Sequence, residues 1–229
     1  DVLTAFGSDG FTLGADGDDY AINQNTNTYV AWCWKEASGI FDIVSYSGSG
    51  SARTISHSLS AVPKFIVVKD RTNNVGNTDW NVYHAGNTSA PETEILALNE
   101  TYATSDSNIY WNDTAPTSSV FSLGTAGQVN YSTDDYIAYL WTDIQGFSKV
   151  SGSYVGNGSS DGPFLFCGFR PAMIIFKQTN TSGGQWYIYD NKRGQNELDI
   201  HLYPNLTNAD STGDNAIDIL SNGFKMRSN

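Results

Sequence analysis

With 229 residues, 24 acidic against 12 basic side chains and a formal net charge of -12, the chain can bury one large core or two of about 100 residues each. It carries too few clustered cations to hold a nucleic-acid backbone or an anionic membrane surface, and no apolar run approaches the roughly 20 residues that cross a bilayer. Charged residues are only 16%, aromatics reach 13% and Gly is 22, a mixture that suits aromatic-rich strands and polar turns far better than helices. The acidity has two readings, cation binding or plain solubility at an extracellular or virion surface, and the second is the simpler.

The opening stretch "DVLTAFGSDG" has neither an initiating Met nor a basic leader region, and reads as a mature, trimmed or excised segment. "GFTLG" follows, then "GADGDD", the densest acidic cluster. Its Asp16, Asp18 and Asp19 alternate with Gly and are the candidate calcium ligands, but the twelve-residue loop with its terminal Glu is absent and a hairpin turn explains the stretch more simply. "TYVAWCW" alternates, which predicts a strand with Tyr29, Ala31 and Cys33 on one face and Val30, Trp32 and Trp34 on the other.

Cys33 and Cys167 both fall inside predicted strands, where a free thiol packs as a small hydrophobe. Two cysteines make no framework, so a disulfide between them is the lesser expectation. "VPKFIVVK", residues 62 to 69, is a continuous apolar run expected of a strand covered on both sides, with Pro63 placed before it where a missing N–H costs no ladder bond. Further on, "DSNIYWNDTAP" sets Tyr110 and Trp111 in a polar stretch. Two flat rings there would serve glycan or partner binding, or else would cover the end of a sandwich. "DYIAYLW" is the last strand before the second half of the chain.

That second half repeats the first. "VPKFIVVK" returns 108 positions later as "RPAMIIFK", "SYSGSG" returns as "SYVGNG" at the same spacing, and "DWNVYH" returns 106 positions later as "QWYIYD". Asn99 and Thr101 match Asn205 and Thr207, and the phrase "VFSLG" then "DYIAYLW" matches "GFTLG" then "TYVAWCW" near the start and, in its first part, "LSNGFKM" near the end. Landmarks in one order at near-constant spacing predict an internal repeat of about 108 residues. The expected organisation is residues 1–38 as closing strands of a preceding or permuted unit, 39–146 as a first complete repeat, and 147–229 as a second repeat lacking its final strand. The expected fold is all-β: tandem antiparallel β-sandwich units of jelly-roll or lectin-like type, each with six or seven short strands.

The phrases "DGFTLG", "YVAWCW", "SYSGSG", "VPKFIVVK", "DWNVYH", "YWNDTAPTSSVFSLG" and "GFSKVSGSYVGNGSSDGPFLFCGFRPAMIIFK" together span essentially the whole chain. They resemble a repeated domain of marine bacteriophage and cyanophage proteins, which often follows a SPRY or concanavalin-A-like domain in long fibre-like or structural chains. The resemblance implies an exported or virion-associated β protein and brings no catalytic residues to carry over.

A search for chemistry points the same way. Glycan hydrolysis needs two carboxylates roughly 5 to 10 Å apart in a cleft, yet Glu36, Glu92, Glu94, Glu100 and Glu197 do not recur in register. His57, His84 and His201 lack zinc spacing, and His84 corresponds to Asp190 in the second half. Each reads as a surface or satisfied residue. No serine sits in a G-x-S-x-G elbow. Taken with the repeat and the Gly, Asn and Ser richness, the resemblance implies a non-enzymatic phage virion protein, a fibre, spike or head decoration, working by assembly with copies of itself or other virion proteins. A carbohydrate-binding adhesin that meets host surface glycans is the alternative, and a polysaccharide depolymerase the third reading. No cofactor is expected beyond the weak calcium candidate, and neither nucleic acid nor membrane insertion.

Overall fold

Strands form here because β-branched and aromatic residues alternate along short runs, and Gly, Asn and Ser between the runs accept the dihedrals that tight turns require. The computed structural model describes residues 3–15, 22–74, 76, 79–193, 197–198, 200–211 and 216–227. The chain divides into two compact units, residues 1–35 and 36–229.

In the first unit β1 (Leu3–Phe6) and β2 (Phe11–Leu13) pair antiparallel, joined by a turn in which the Gly7 N–H donates to the Gly10 carbonyl at 2.7 Å. The expected strand at Tyr29–Trp34 is not formed: these residues lie in no strand, and Cys33, expected inside a packed face, is exposed. Alternation specifies two faces, but a strand exists only where a neighbour's N–H and C=O groups complete a ladder.

The second unit opens with β3 (Phe41–Ser47), β4 (Arg53–Ser56), β5 (Phe65–Asp70), β6 (Trp80–His84), β7 (Glu94–Ala97), β8 (Ser105–Asp106), α1 (Asn108–Trp111), β9 (Val120–Leu123), α2 (Gly127–Asn130) and β10 (Asp135–Trp141). Six of these strands make one sheet in the order β3-β10-β5-β6-β7-β8, and β4 pairs with β9 beside it. Inward side chains of the large sheet, among them Ile66, Val68, Tyr83, Tyr136, Ala138 and Leu140, meet Ile55, Phe121 and Leu123 of the β4–β9 pair in one core. The alternation read in "DYIAYLW" holds: Tyr136, Ala138 and Leu140 are buried and Ile137 and Tyr139 between them are half-buried. The run in β5 is likewise covered on both sides, with Ile66, Val67 and Val68 all buried, as a mid-sheet strand packed on both faces requires.

Polar anchors hold the turns of this core. Asn130, fully buried, accepts from the Ser49 N–H at 2.9 Å and donates to the carbonyls of Ser51 and Gly124, both at 2.7 Å. The Tyr136 hydroxyl donates to the Gly127 carbonyl and accepts from the Tyr131 N–H at 2.8 Å, and burial pushes its pKa up to about 12.

The remaining strands are β11 (Phe164–Phe166), β12 (Met173–Lys177), β13 (Trp186–Asp190), β14 (Glu197–Leu198), β15 (His201–Leu202), β16 (Ile217–Leu220) and β17 (Gly223–Met226). They form two sheets, β12-β13-β15 and β11-β17-β16-β14. Ile174 and Tyr189 of the first pack with Ile217, Ile219, Phe224 and Met226 of the second. The architecture is thus all-β, antiparallel and sandwich-type, with only short helices among the described residues. "MIIF" departs from its expectation. β12 lies at the edge of its sheet, and Ile175 is 36% exposed where Val67, at the matching position of β5, is 3% exposed.

Local details recur at the spacing of the sequence landmarks. The Asn99 side chain accepts from the Trp80 N–H at 2.8 Å, and Asn205 accepts from the Trp186 N–H at 3.1 Å. Ala37 and Phe41 bond across a turn containing Gly39, and Ile144 and Ser148 do the same around Gly146. Both glycines take positive φ, 73° and 77°, a backbone conformation other residues adopt only with strain.

Candidate functional site: the aromatic outer face

The face of the large sheet that points away from its core is apolar along its middle, where Tyr139, Val67, Val82 and Leu96 lie in one cross-strand row. Aromatic rings flank the row. Trp141 lies 4.9 Å from Phe41 and 5.2 Å from Phe65, centroid to centroid. Trp80 stacks on Tyr139 at 6.4 Å with 19° between the ring planes. The Lys69 ammonium sits 5.6 Å from the Trp80 ring centre, a cation–π distance, and burial pulls its pKa below the usual lysine value.

Trp186, from β13, packs onto Val67, Val82 and Leu96. Its indole Nε1 donates to the Ala97 carbonyl at 2.8 Å, and the residue is 4% exposed against 37% for Trp80. Two backbone bonds seal the junction, Thr104 N–H to Thr179 carbonyl at 2.7 Å and Gly183 N–H to Thr101 carbonyl at 2.9 Å. A sheet face with this composition stacks against another sheet, and Trp80 at its rim keeps a ring in solvent.

The residues singled out from sequence are placed differently. Trp111 ends α1 and is 2% exposed. Its indole donates to the Glu94 carbonyl at 3.0 Å, and its ring meets Tyr83 edge-on at 6.1 Å. Of the two readings, a displayed binding ring or a cover for the sandwich, the burial fits the second: Trp111 belongs to the core, and Tyr110, half-buried, packs against that core. A four-residue helix in a polar stretch turned the aromatic pair inward, which composition does not reveal. Asp16, Asp18 and Asp19 lie outside the described residues, among which no group of three or more His, Cys, Asp or Glu side chains forms a metal site.

Cys33 and Cys167 are both free thiols. His201 is fully buried, with the rings of Tyr187, Tyr189 and Tyr203 at 5.3, 5.2 and 4.7 Å, so of its two readings, surface or satisfied, it does not lie at the surface. His84 and Asp190 do one job at matching positions. Each side chain accepts from the N–H two residues on, Gly86 at 3.1 Å and Lys192 at 3.0 Å.

Charged side chains meet at two matching turns, as a carboxyl pair in one and an ion pair in the other. Glu36 and Asp42 share a hydrogen bond that raises the Glu36 pKa. Asp42 is buried, which pushes its pKa up, yet donors from Ser58, Glu36 and Ile43 outweigh that and leave it low. At the matching place Asp143 pairs with Lys149 at 2.8 Å. Two carboxyls in direct contact leave no space for a sugar between them, so the Glu36–Asp42 pair anchors a turn.

The sequence profile of a domain of unknown function (DUF7483) matches residues 1–229. The chain belongs to this family. Comparison with curated proteins and with solved structures returned no match. The description of the family assigns it no activity. No helix among the described residues is long and apolar enough to cross a membrane.

Proposed function

We propose that this member of the DUF7483 family is a non-enzymatic structural protein of a bacteriophage virion, a fibre, spike or head decoration that works by assembly and surface display. The observation that carries the reading is the stacking of one sheet face on the next segment through Trp186, an apolar junction of the kind that builds layered arrays. The acidic surface and the likeness of its phrases to repeated phage domains support the same reading. Immunogold labelling of purified particles tests it: label on fibres or the head supports the proposal, and antigen confined to the soluble fraction of infected cells overturns it.

An adhesin is the second reading, favoured by the solvent-exposed Trp80 ring stacked on Tyr139 with Lys69 beside it. Such a ring stacks on the face of a sugar. Glycan-array binding lost in Trp80→Ala and kept in Tyr110→Phe would favour it; an array without signal would remove it.

A further inference from the structure

The two halves of residues 36–229 differ in one respect that sequence matching makes specific. In the first, β10 is inserted between β3 and β5 and pairs with both along its length. In the second, the match to β5 is β12, which pairs with β13 on one side and, among the described residues, with no strand on the other. The match to β3, residues 149–155, forms no strand. Among the described strands β3 pairs only with β10, so without a strand in the β10 position its counterpart has no ladder to join. Tyr154 is accordingly 38% exposed, whereas its counterpart Tyr46 stacks on Tyr136 of β10 at 5.2 Å. An unpaired, apolar sheet edge is a template for a further strand.

The chain also carries a second copy of the β10 sequence. "TYVAWCW", residues 28–34, matches "DYIAYLW" with Tyr29, Ala31 and Trp34 identical to Tyr136, Ala138 and Trp141. The donor segment belongs to the unit of residues 1–35 and the open edge to the unit of residues 36–229. We propose that residues 28–34 of one copy add as a strand between residues 149–155 and β12 of a second copy, so that the protein polymerises by strand donation. Transferring the pairing of β10 sets Val30 opposite Lys177, Ala31 opposite Phe176 and Trp34 opposite Met173. Tyr29 then takes the place of Tyr136 beside Tyr154, and Cys33, exposed in the single chain, takes the buried place of Leu140. Main-chain bonds supply affinity and the alternate side chains supply register. Among the described residues each copy offers one such donor and one such edge, so the contact is heterologous and continues from copy to copy. The proposal rests on the assembly reading above. A failed cross-link with virion labelling intact removes strand donation alone.

The test uses the full chain with Cys33→Ser and Cys167→Ser. A Val30→Cys copy is mixed with a Lys177→Cys copy under mild oxidation and resolved on a non-reducing gel. A covalent dimer is expected in the mixture, lost when Ala31→Pro is added to the donor copy and absent with an Asp218→Cys acceptor on the opposite sheet. A chain carrying both cysteines should give a ladder of multimers. A mixture that yields no more dimer than the Asp218→Cys control overturns the proposal, and so does a double-cysteine chain that closes only on itself. The unsubstituted protein gives an independent measurement: Cys33 should lose reactivity toward a maleimide as concentration rises, and reactivity independent of concentration overturns the proposal as well.

Discussion

Asp143 concentrates several forces in one carboxylate. Burial raises its pKa, but the Lys149 ammonium, the Ser151 hydroxyl and the Val150 N–H, the last at 2.6 Å, donate to it and leave the net value below the usual range. A group whose folded pKa is depressed adds stability that is present above its unfolded value, about 3.9, and lost as pH falls through the folded one. Asp143→Asn is therefore expected to cost about 1–3 kcal/mol at neutral pH and to flatten the loss of stability on acidification. Urea melts of both proteins at pH 7 and at acid pH check this. Other single residues had roles that their type did not announce. Asn99 and Asn205 recur in register, and each caps a tryptophan backbone N–H, while the polar neighbours of Trp111 left the direction of its ring open. A side chain's direction depends on the backbone path beneath it, and α1 turned that path.

At the scale of the element, β5 and β12 carry nearly the same apolar pattern and have different fates. Alternating and continuous apolar runs were legible as strands because their periods, two and one, describe how a strand is covered. Which edge is paired is a property of the neighbours. Hydrogen exchange is expected to show this: amides of β5, bonded on both sides, stay protected, while peptides covering 149–155 and 173–177 exchange faster in dilute protein and slow down as concentration rises. Equal protection of β5 and β12 at every concentration would count against an open edge. The segment 28–34 teaches the same lesson in reverse, with a strand-forming pattern and no strand in the structure.

At the scale of the whole molecule, the contact between β13 and the outer face of the large sheet ties together the two halves of residues 36–229. Trp186 fills a buried apolar site and its indole N–H bonds to Ala97, so Trp186→Ala is expected to cost about 3–5 kcal/mol and to split thermal unfolding into two steps seen by calorimetry. Trp80→Ala, at the matching but solvent-exposed position, should cost about 1 kcal/mol or less and leave a single step. The contrast separates a packed junction from a displayed ring with the same residue type in the same sequence phrase.

Composition and periodicity alone determined that this protein is all-β, that "FIVV" and "DYIAYLW" are strands and that β10 buries alternate residues. Those properties follow from the chemistry of neighbours along the chain. Tertiary structure decided what lies between strands: that β10 separates β3 from β5, that Trp186 is buried while Trp80 is exposed, that Trp111 points inward, and that β12 ends a sheet. Each of these depends on which backbone completes a ladder and which face meets another, and pairings between residues far apart in the chain are not written in the pattern of either partner.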